Sequence, residues 1–184
     1  MDEARLQIRS FDPLFAPIVA SWVRTEQELF WLAPRTPPPL SPSKVVGWTR
    51  QRGQAFLCFA DRESTPLGYG ELNPLSAEPH HLWLGHVIVD PQRRGVGLGL
   101  RLTDALTRRA FHQFDAAKLS LVVFPENIAA VTCYRRLGFS QVADEYHRFD
   151  GRSGRFRMLR FERSTPPDTL HSEGGTGDNC APIG

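Results

Sequence analysis

The residues Val87-Ile-Val-Asp-Pro-Gln-Arg-Arg-Gly-Val-Gly-Leu-Gly-Leu100 are the part of this chain best suited to chemistry. A β-branched run ends at Asp90-Pro91. Arg93 and Arg94 follow, then Gly95, Gly97 and Gly99, and an amphipathic pattern starts at Leu98. That order predicts a strand, a glycine-rich turn and the start of a helix. The first N–H groups of a helix have no partner within it, and its dipole adds positive potential there. Such a place binds a phosphate or diphosphate. Glycine lets the backbone approach the ligand and adopt φ > 0, and the Arg94 guanidinium can pair with phosphate oxygens. The competing reading is a plain turn with two solvated arginines. Two other glycine loops are excluded. A P-loop needs Gly-Lys-Ser/Thr, and the only lysines are Lys44 and Lys118. A dinucleotide fingerprint needs Gly-x-Gly-x-x-Gly, but Gly95-Val-Gly97 is followed by Leu100.

A second constellation runs Phe124-Pro-Glu-Asn127-Ile-Ala-Ala130-Val-Thr-Cys-Tyr134-Arg-Arg-Leu137-Gly138-Phe139. Asn127 and Tyr134 are two helical turns apart, so they share a face, with Ala130 and Val131 between them. By residue type alone, Asn127 is a helix cap and Tyr134 a core aromatic with a hydrogen-bonded hydroxyl.

The glycine run after Val89-Asp90-Pro91 resembles the acetyl-CoA loop of the GNAT superfamily of N-acetyltransferases. The stretch from Asn127 to Phe139 resembles that family's second signature, in the right order and at the right distance. The resemblance covers 5–162 and is sharpest over 86–140. It implies an α/β fold with a mixed sheet, in which the strands carrying the two motifs are parallel neighbours that splay apart around acetyl-CoA. It implies an enzyme that moves the acetyl group from acetyl-CoA directly to an amine of a small molecule, peptide or protein. The alternative on the same fold is a non-catalytic acyl-CoA-binding or regulatory module. Retention of Asn127 and Tyr134 beside an intact glycine loop favours the enzyme.

Site residues follow from the same resemblance. The backbone of Arg94, Gly95, Val96, Gly97, Leu98, Gly99 and Leu100 would hold the cofactor diphosphate. Val87, Ile88 and Val89 would offer backbone groups to the pantetheine arm and an N–H to the thioester carbonyl. A preorganised donor of this kind is typically worth ~3 kcal/mol to an oxyanion. Asn127 and Tyr134 would touch the cofactor, with Tyr134 as general acid to the leaving thiolate. The general base stays open between Glu71, His86 and a water chain. Glu71 resembles a carboxylate placed at the end of this strand in relatives. His86 lies on the central strand, and imidazole changes charge near neutral pH. His81 lies further back. Phe30, Trp31 and Trp48 either shape an acceptor pocket or belong to the core.

The elements that must position these groups can be read along the chain. Leu6–Arg9 alternates as a strand. Asp12-Pro13 starts a helix running through Trp22. Thr25-Glu-Gln-Glu28 is a capping-box pattern for a second short helix. Pro34 to Pro42 is a loop, and Ser43–Arg50 a third short helix. Gln54–Ala60 and Leu67–Leu72 form a hairpin, Asn73–Pro79 a loop, and His81–Val89 the central strand. From Leu98 the period becomes 3.6, with Leu102, Ala105, Leu106, Ala110 and Phe114 on one face. Lys118–Phe124 is a strand, Ile128–Leu137 a helix stopped by Gly138, and Phe139–Arg148 with Phe156–Glu162 a closing hairpin. One domain over 1–163 and a disordered polar tail over 164–184 are expected.

Composition narrows the classes. A hydrophobic content of 41% suits a globular domain. No apolar run approaches the roughly 20 residues of a membrane span. Cys58, Cys133 and Cys180 are scattered and odd in number, which suggests reduced thiols and a cytoplasmic setting, and no metal-ligand spacing is present. Formal net charge is +2. That suits a phosphate-rich cofactor but is too weak and dispersed for nucleic acid. No membrane partner is expected, and the state is monomer or homodimer.

Overall fold

The computed structural model describes residues 6–49, 53–61, 63–75 and 78–164. Seven strands form one sheet in the order β1-β2-β3-β4-β5-β7-β6. They are β1 (Leu6–Ser10), β2 (Gln54–Ala60), β3 (Gly68–Pro74), β4 (His81–Val89), β5 (Lys118–Val123), β6 (Ser140–His147) and β7 (Phe156–Ser164). Every neighbouring pair is antiparallel except β4 and β5. The mixed α/β sheet is the expected fold class. The helices are α1 (Ala16–Ser21), α2 (Glu26–Leu32), α3 (Pro42–Trp48), α4 (Leu98–Gln113) and α5 (Ile128–Arg136).

Local chemistry sets the helix starts. Asp12 caps a 3₁₀ turn over Pro13–Phe15, accepting from the Leu14 N–H, and this turn leads into α1. The expected single helix is therefore two pieces. Thr25 Oγ1 accepts from the Glu28 N–H at 3.1 Å, while Glu28 Oε2 accepts from the Arg24 N–H at 2.8 Å. This is a capping box displaced by one residue. Ser41, not Ser43, opens α3.

Two expectations need correction at the strands. β3 runs through Asn73 and Pro74, which were expected in a loop, because both pair with β4 opposite Trp83 and Leu82. Ser164, expected as the first tail residue, pairs with Lys118 and ends β7. The rest of the expected tail, 165–184, lies outside the described residues.

Apolar side chains divide between the two faces. On one, α4 lays Leu98, Leu102, Leu106 and Ala110 against Phe56, Leu84, Leu119 and Leu121, and Val131 of α5 joins them. The α4 stripe is rotated slightly from the expected one. Thr103 and Thr107 are buried and Ala105 is only half-buried, with the Thr107 hydroxyl satisfied by the Thr103 carbonyl at 2.7 Å. On the other face, α1 and α3 cover Leu57, Phe59, Tyr69 and Ile88. Among the described residues no helix is long and apolar enough to cross a membrane.

What matters for the site is where the sheet fails to pair. β4 and β5 are bonded only from His81↔Lys118 to Trp83↔Ser120. Beyond Trp83 the two parallel strands separate. On its other side, β4 slips register against β3: Glu71 pairs with Gly85, but Tyr69 pairs with Ile88. The extra residues form a bulge, and His86 within it has φ +46°. Bulges re-aim side chains and leave backbone groups unpaired, and positive φ at a non-glycine residue marks stored strain.

Candidate active site between the splayed strands

A cavity of about 740 Å³ occupies the gap. It is lined on one side by Gly95, Gly97, Leu98, Gly99, Leu100 and Thr103. Ala130, Cys133 and Tyr134 of α5 continue that wall, and β4 from Trp83 to Val89 forms the floor. The parallel strand ends, the glycine turn and the second motif thus meet in one place. Ligands in α/β sheets bind at such carboxyl ends of parallel strands.

The glycine turn leaves backbone groups open to the cavity. Gly95 and Gly97 have φ of +81° and +80°. Gly97 is the N-cap of α4 and, lacking a side chain, leaves the first N–H groups of the helix uncapped. A Cβ built on Gly95, Gly97 or Gly99 would meet no atom within 4 Å, so the protein leaves this cradle open. Val96 is exposed and its side chain takes no part. The Arg94 side chain differs from expectation. Its guanidinium donates to Glu28 Oε1 at 2.6 Å and to the Trp22 carbonyl at 3.2 Å. Arg94 therefore ties the turn to α2 instead of projecting free toward a phosphate. Burial pushes the Glu28 carboxyl up, but the Arg24 N–H and Arg94 outweigh it and hold the pKa below the usual range.

Asn127 does cap α5, accepting from the Ala130 N–H at 3.3 Å, and it also lines the cavity. Tyr134 packs its ring at 6.0 Å from Phe139 and 6.5 Å from Phe161. Its hydroxyl has no protein partner among the described residues. Burial, then the adjacent Cys133, pushes the phenol pKa up, so it stays protonated.

Glu71 and His86, expected as alternatives, stand together. Glu71 is 2% exposed and does not line the cavity. Its oxygens accept from the Tyr69 hydroxyl and, at 3.3 Å, from the Asn73 amide. His86 Nδ1 lies 2.9 Å from Glu71 Oε1, close in distance though not aligned as a hydrogen bond. Burial alone would raise the Glu71 pKa. The His86 imidazole, with Tyr69 and Asn73, reverses this and holds the carboxyl below its usual range. The other His86 nitrogen, Nε2, has no protein partner among the described residues, and His86 lines the cavity. Trp48 stacks on the imidazole with ring centroids 4.3 Å apart, and its Nε1 donates to Thr36 Oγ1 at 2.9 Å. His81 lies at the paired end of β4 and is buried.

Of the aromatics expected around an acceptor, Trp31 lines the cavity. Phe30 instead packs into a ring cluster, 4.8 Å from Phe124 and 5.0 Å from Phe156. The far wall also contains Trp83, Glu145, His147 and Phe149, none of which was singled out from the sequence. Glu145 and His147 alternate along β6, a signal that could have placed them on one face. No group of three or more His, Cys, Asp or Glu suited to a metal occurs among the described residues.

Comparisons with known proteins agree with this fold. An uncharacterised N-acetyltransferase (YobR) of Bacillus subtilis is 34% identical over 96 residues, which is 52% of this chain and 36% of that protein. Spermine/spermidine N(1)-acetyltransferase of the same organism is 31% identical over 58 residues, 32% of this chain and 38% of that protein. The chain thus spans well under half the length of these curated relatives. The fold of spermidine N-acetyltransferase from Vibrio cholerae, solved in complex with CoA and spermine, superimposes with a TM-score of 0.71. It does so at 17% identity, covering 86% of this chain and 95% of that one. The model of the acetyltransferase (GNAT) family matches residues 19–139, well over half of the sequence, and the chain belongs to that family.

Proposed function

We propose that this protein is an acetyl-CoA-dependent N-acetyltransferase whose acceptor is an amine. One observation carries the reading. A single continuous cavity joins the open glycine cradle, Tyr134 and the unpaired nitrogen of His86. The residues fit the cofactor: the cradle stands clear of protein atoms, the N-terminus of α4 is uncapped, and β4 is no longer paired with β5 beyond Trp83. Bound there, acetyl-CoA supplies an activated acetyl thioester.

The backbone from Gly95 to Leu100 would hold the diphosphate, with the helix dipole adding to each hydrogen bond. Backbone groups along Val87, Ile88 and Val89, on the edge of β4 that β5 no longer covers, would line the pantetheine arm and offer a fixed N–H to the thioester carbonyl oxygen. His86 Nε2 would take the proton of the acceptor ammonium. Glu71 does not meet the acceptor. Its Oε1, 2.9 Å from His86 Nδ1, would stabilise the imidazolium that forms. As the amine nitrogen bonds to the acyl carbon it would release its second proton to solvent in the open cavity, and as the carbon–sulfur bond breaks Tyr134 Oη would give its proton to the leaving thiolate and regain one from solvent. Asn127 would keep α5 in place beneath the cofactor.

The related proteins named for spermine and spermidine make polyamines one class of acceptor to test. The decisive experiment follows free CoA thiol from acetyl-CoA across a panel of amines, with calorimetry of acetyl-CoA alone. Binding with amine-dependent release supports the reading. Binding without release for any amine would leave a non-catalytic acyl-CoA-binding module, and no binding would remove both.

A further inference from the structure

We infer that the acceptor carries a carboxylate beside an apolar, ring-sized body, and that Arg35 binds that carboxylate. The inference rests on the acetyl-transfer reading and narrows its acceptor.

The cavity wall away from the glycine cradle is aromatic, with Trp31, Trp83 and Phe149. The charges among them are unevenly matched. Glu28 is held by Arg94 at 2.6 Å. Glu145 is held by Arg160 and by His147, the latter at 2.7 Å. Glu71 is buried behind His86. Each carboxylate at or beside the cavity therefore already faces a cationic or imidazole partner. Arg35 has no such counterpart: among the described residues it makes neither an ion pair nor a hydrogen bond. Its guanidinium carbon lies 5.8 Å from the centre of the Phe149 ring.

Its backbone is fixed relative to the reacting centre. The Thr36 N–H donates to the Ala33 carbonyl at 2.8 Å, and the Thr36 hydroxyl accepts from Trp48, which stacks on His86. Arg35 thus follows a short rigid path from the imidazole. A planar guanidinium with free donors matches a carboxylate in a bidentate pair. A polycation would meet this arginine and find no carboxylate without a partner of its own. An aromatic body with one anionic group satisfies both the rings and the charge.

The test uses the full chain with saturating acetyl-CoA and two matched pairs of amines: phenylalanine with its amide, and 4-(aminomethyl)benzoate with benzylamine. Spermidine is the fifth substrate. The expected result is that at least one acid exceeds its carboxylate-free partner, and spermidine, by about tenfold in kcat/KM. Arg35→Ala should raise KM for that acid by about tenfold, leave kcat within about twofold, and leave the carboxylate-free partner unchanged. Arg35→Lys should recover part of the loss. Titration of tryptophan fluorescence with the acid, without acetyl-CoA, should show the same tenfold weakening in Arg35→Ala. Equal turnover within both pairs, spermidine as the best substrate, or a loss in Arg35→Ala shared by the acid and its carboxylate-free partner overturns the inference while the acetyl-transfer reading stands. No CoA release with any amine overturns both.

Discussion

β4 carries two histidines five residues apart, and they lie in opposite circumstances. At the paired end, His81 has both ring nitrogens occupied, Nδ1 by Glu78 at 2.9 Å and Nε2 by Ser120 at 2.6 Å. Ser120 in turn donates to Glu162 at 3.1 Å. Histidine, hydroxyl and carboxylate are all present, yet the group is buried and its hydrogen bonds are used up holding β4, β5 and β7 together. At the splayed end, His86 meets one carboxylate through Nδ1 and leaves Nε2 open to the cavity. The residue types are alike, so they do not separate structure from chemistry. The separation comes from strand pairing. Where the ladder is intact the imidazole is a strut, and where the ladder opens the same side chain has a free nitrogen facing a cavity.

Substituting both histidines gives the sharpest test of this contrast. His86→Ala should lower kcat by roughly 10²–10⁴-fold, the usual scale of general base catalysis, with acetyl-CoA affinity nearly unchanged. His81→Gln should do the reverse. It leaves buried partners unsatisfied at a cost of about 1–3 kcal/mol, lowering Tm by roughly 3–10 °C, while kcat per folded molecule stays within a few-fold. Steady-state kinetics beside thermal melts would read both. Equal kinetic losses would show that the two ends do not differ in role.

Tyr134→Phe probes the far wall of the open end. The ring contacts with Phe139 and Phe161 survive and only the hydroxyl is lost. Turnover should fall by roughly 10–1,000-fold, with Tm and acetyl-CoA affinity almost intact. A wild-type rate where chemistry limits would make the phenol a packing group.

Gly97→Val acts on the cradle alone. At φ +80° a β-branched residue is strained by about 1–3 kcal/mol, and its side chain would fill space the protein keeps open. Acetyl-CoA affinity should weaken about tenfold or more, as measured by calorimetry on the folded variant. Unchanged affinity would move the diphosphate elsewhere.

The cradle and α5 were legible in the sequence because their signals are local. Glycines at alternate positions, a helix period and a capping Asn all lie within a few residues of what they determine. The open end of β4 was less legible because its causes are long-range. The pairing of Glu71 with His86 depends on a register slip that places them opposite across a hairpin. Gly70 and Gly85 border the bulge, but the residue that takes positive φ is His86 itself, which residue type does not announce. The Glu28 partner of Arg94, 66 positions away in the chain, cannot be linked to it without the fold. Phe30 and Trp31 are adjacent and alike in type, yet one joins a ring cluster and the other the cavity. The angle at which α2 meets the sheet decides between them.

The smallest expected effect comes from Glu71→Gln, and its value lies in its pH dependence. The carboxylate lies behind the imidazole, so its removal should lower the rate only several-fold. A neighbouring negative charge favours the imidazolium. Without it the imidazolium formed on proton transfer is less well stabilised, which is the source of the several-fold loss. Stability gives an independent check. The folded pKa of Glu71 lies below its ordinary value, so its contribution is fully present above the unfolded carboxylate range near ~4.3 and is lost as pH falls through the folded value. The parent protein should therefore be more stable than Glu71→Gln at neutral pH, with the difference narrowing as the solution is acidified. If Glu71 were instead the group that takes the acceptor's proton, the variant would lose the rising limb altogether and suffer a loss as large as that of His86→Ala.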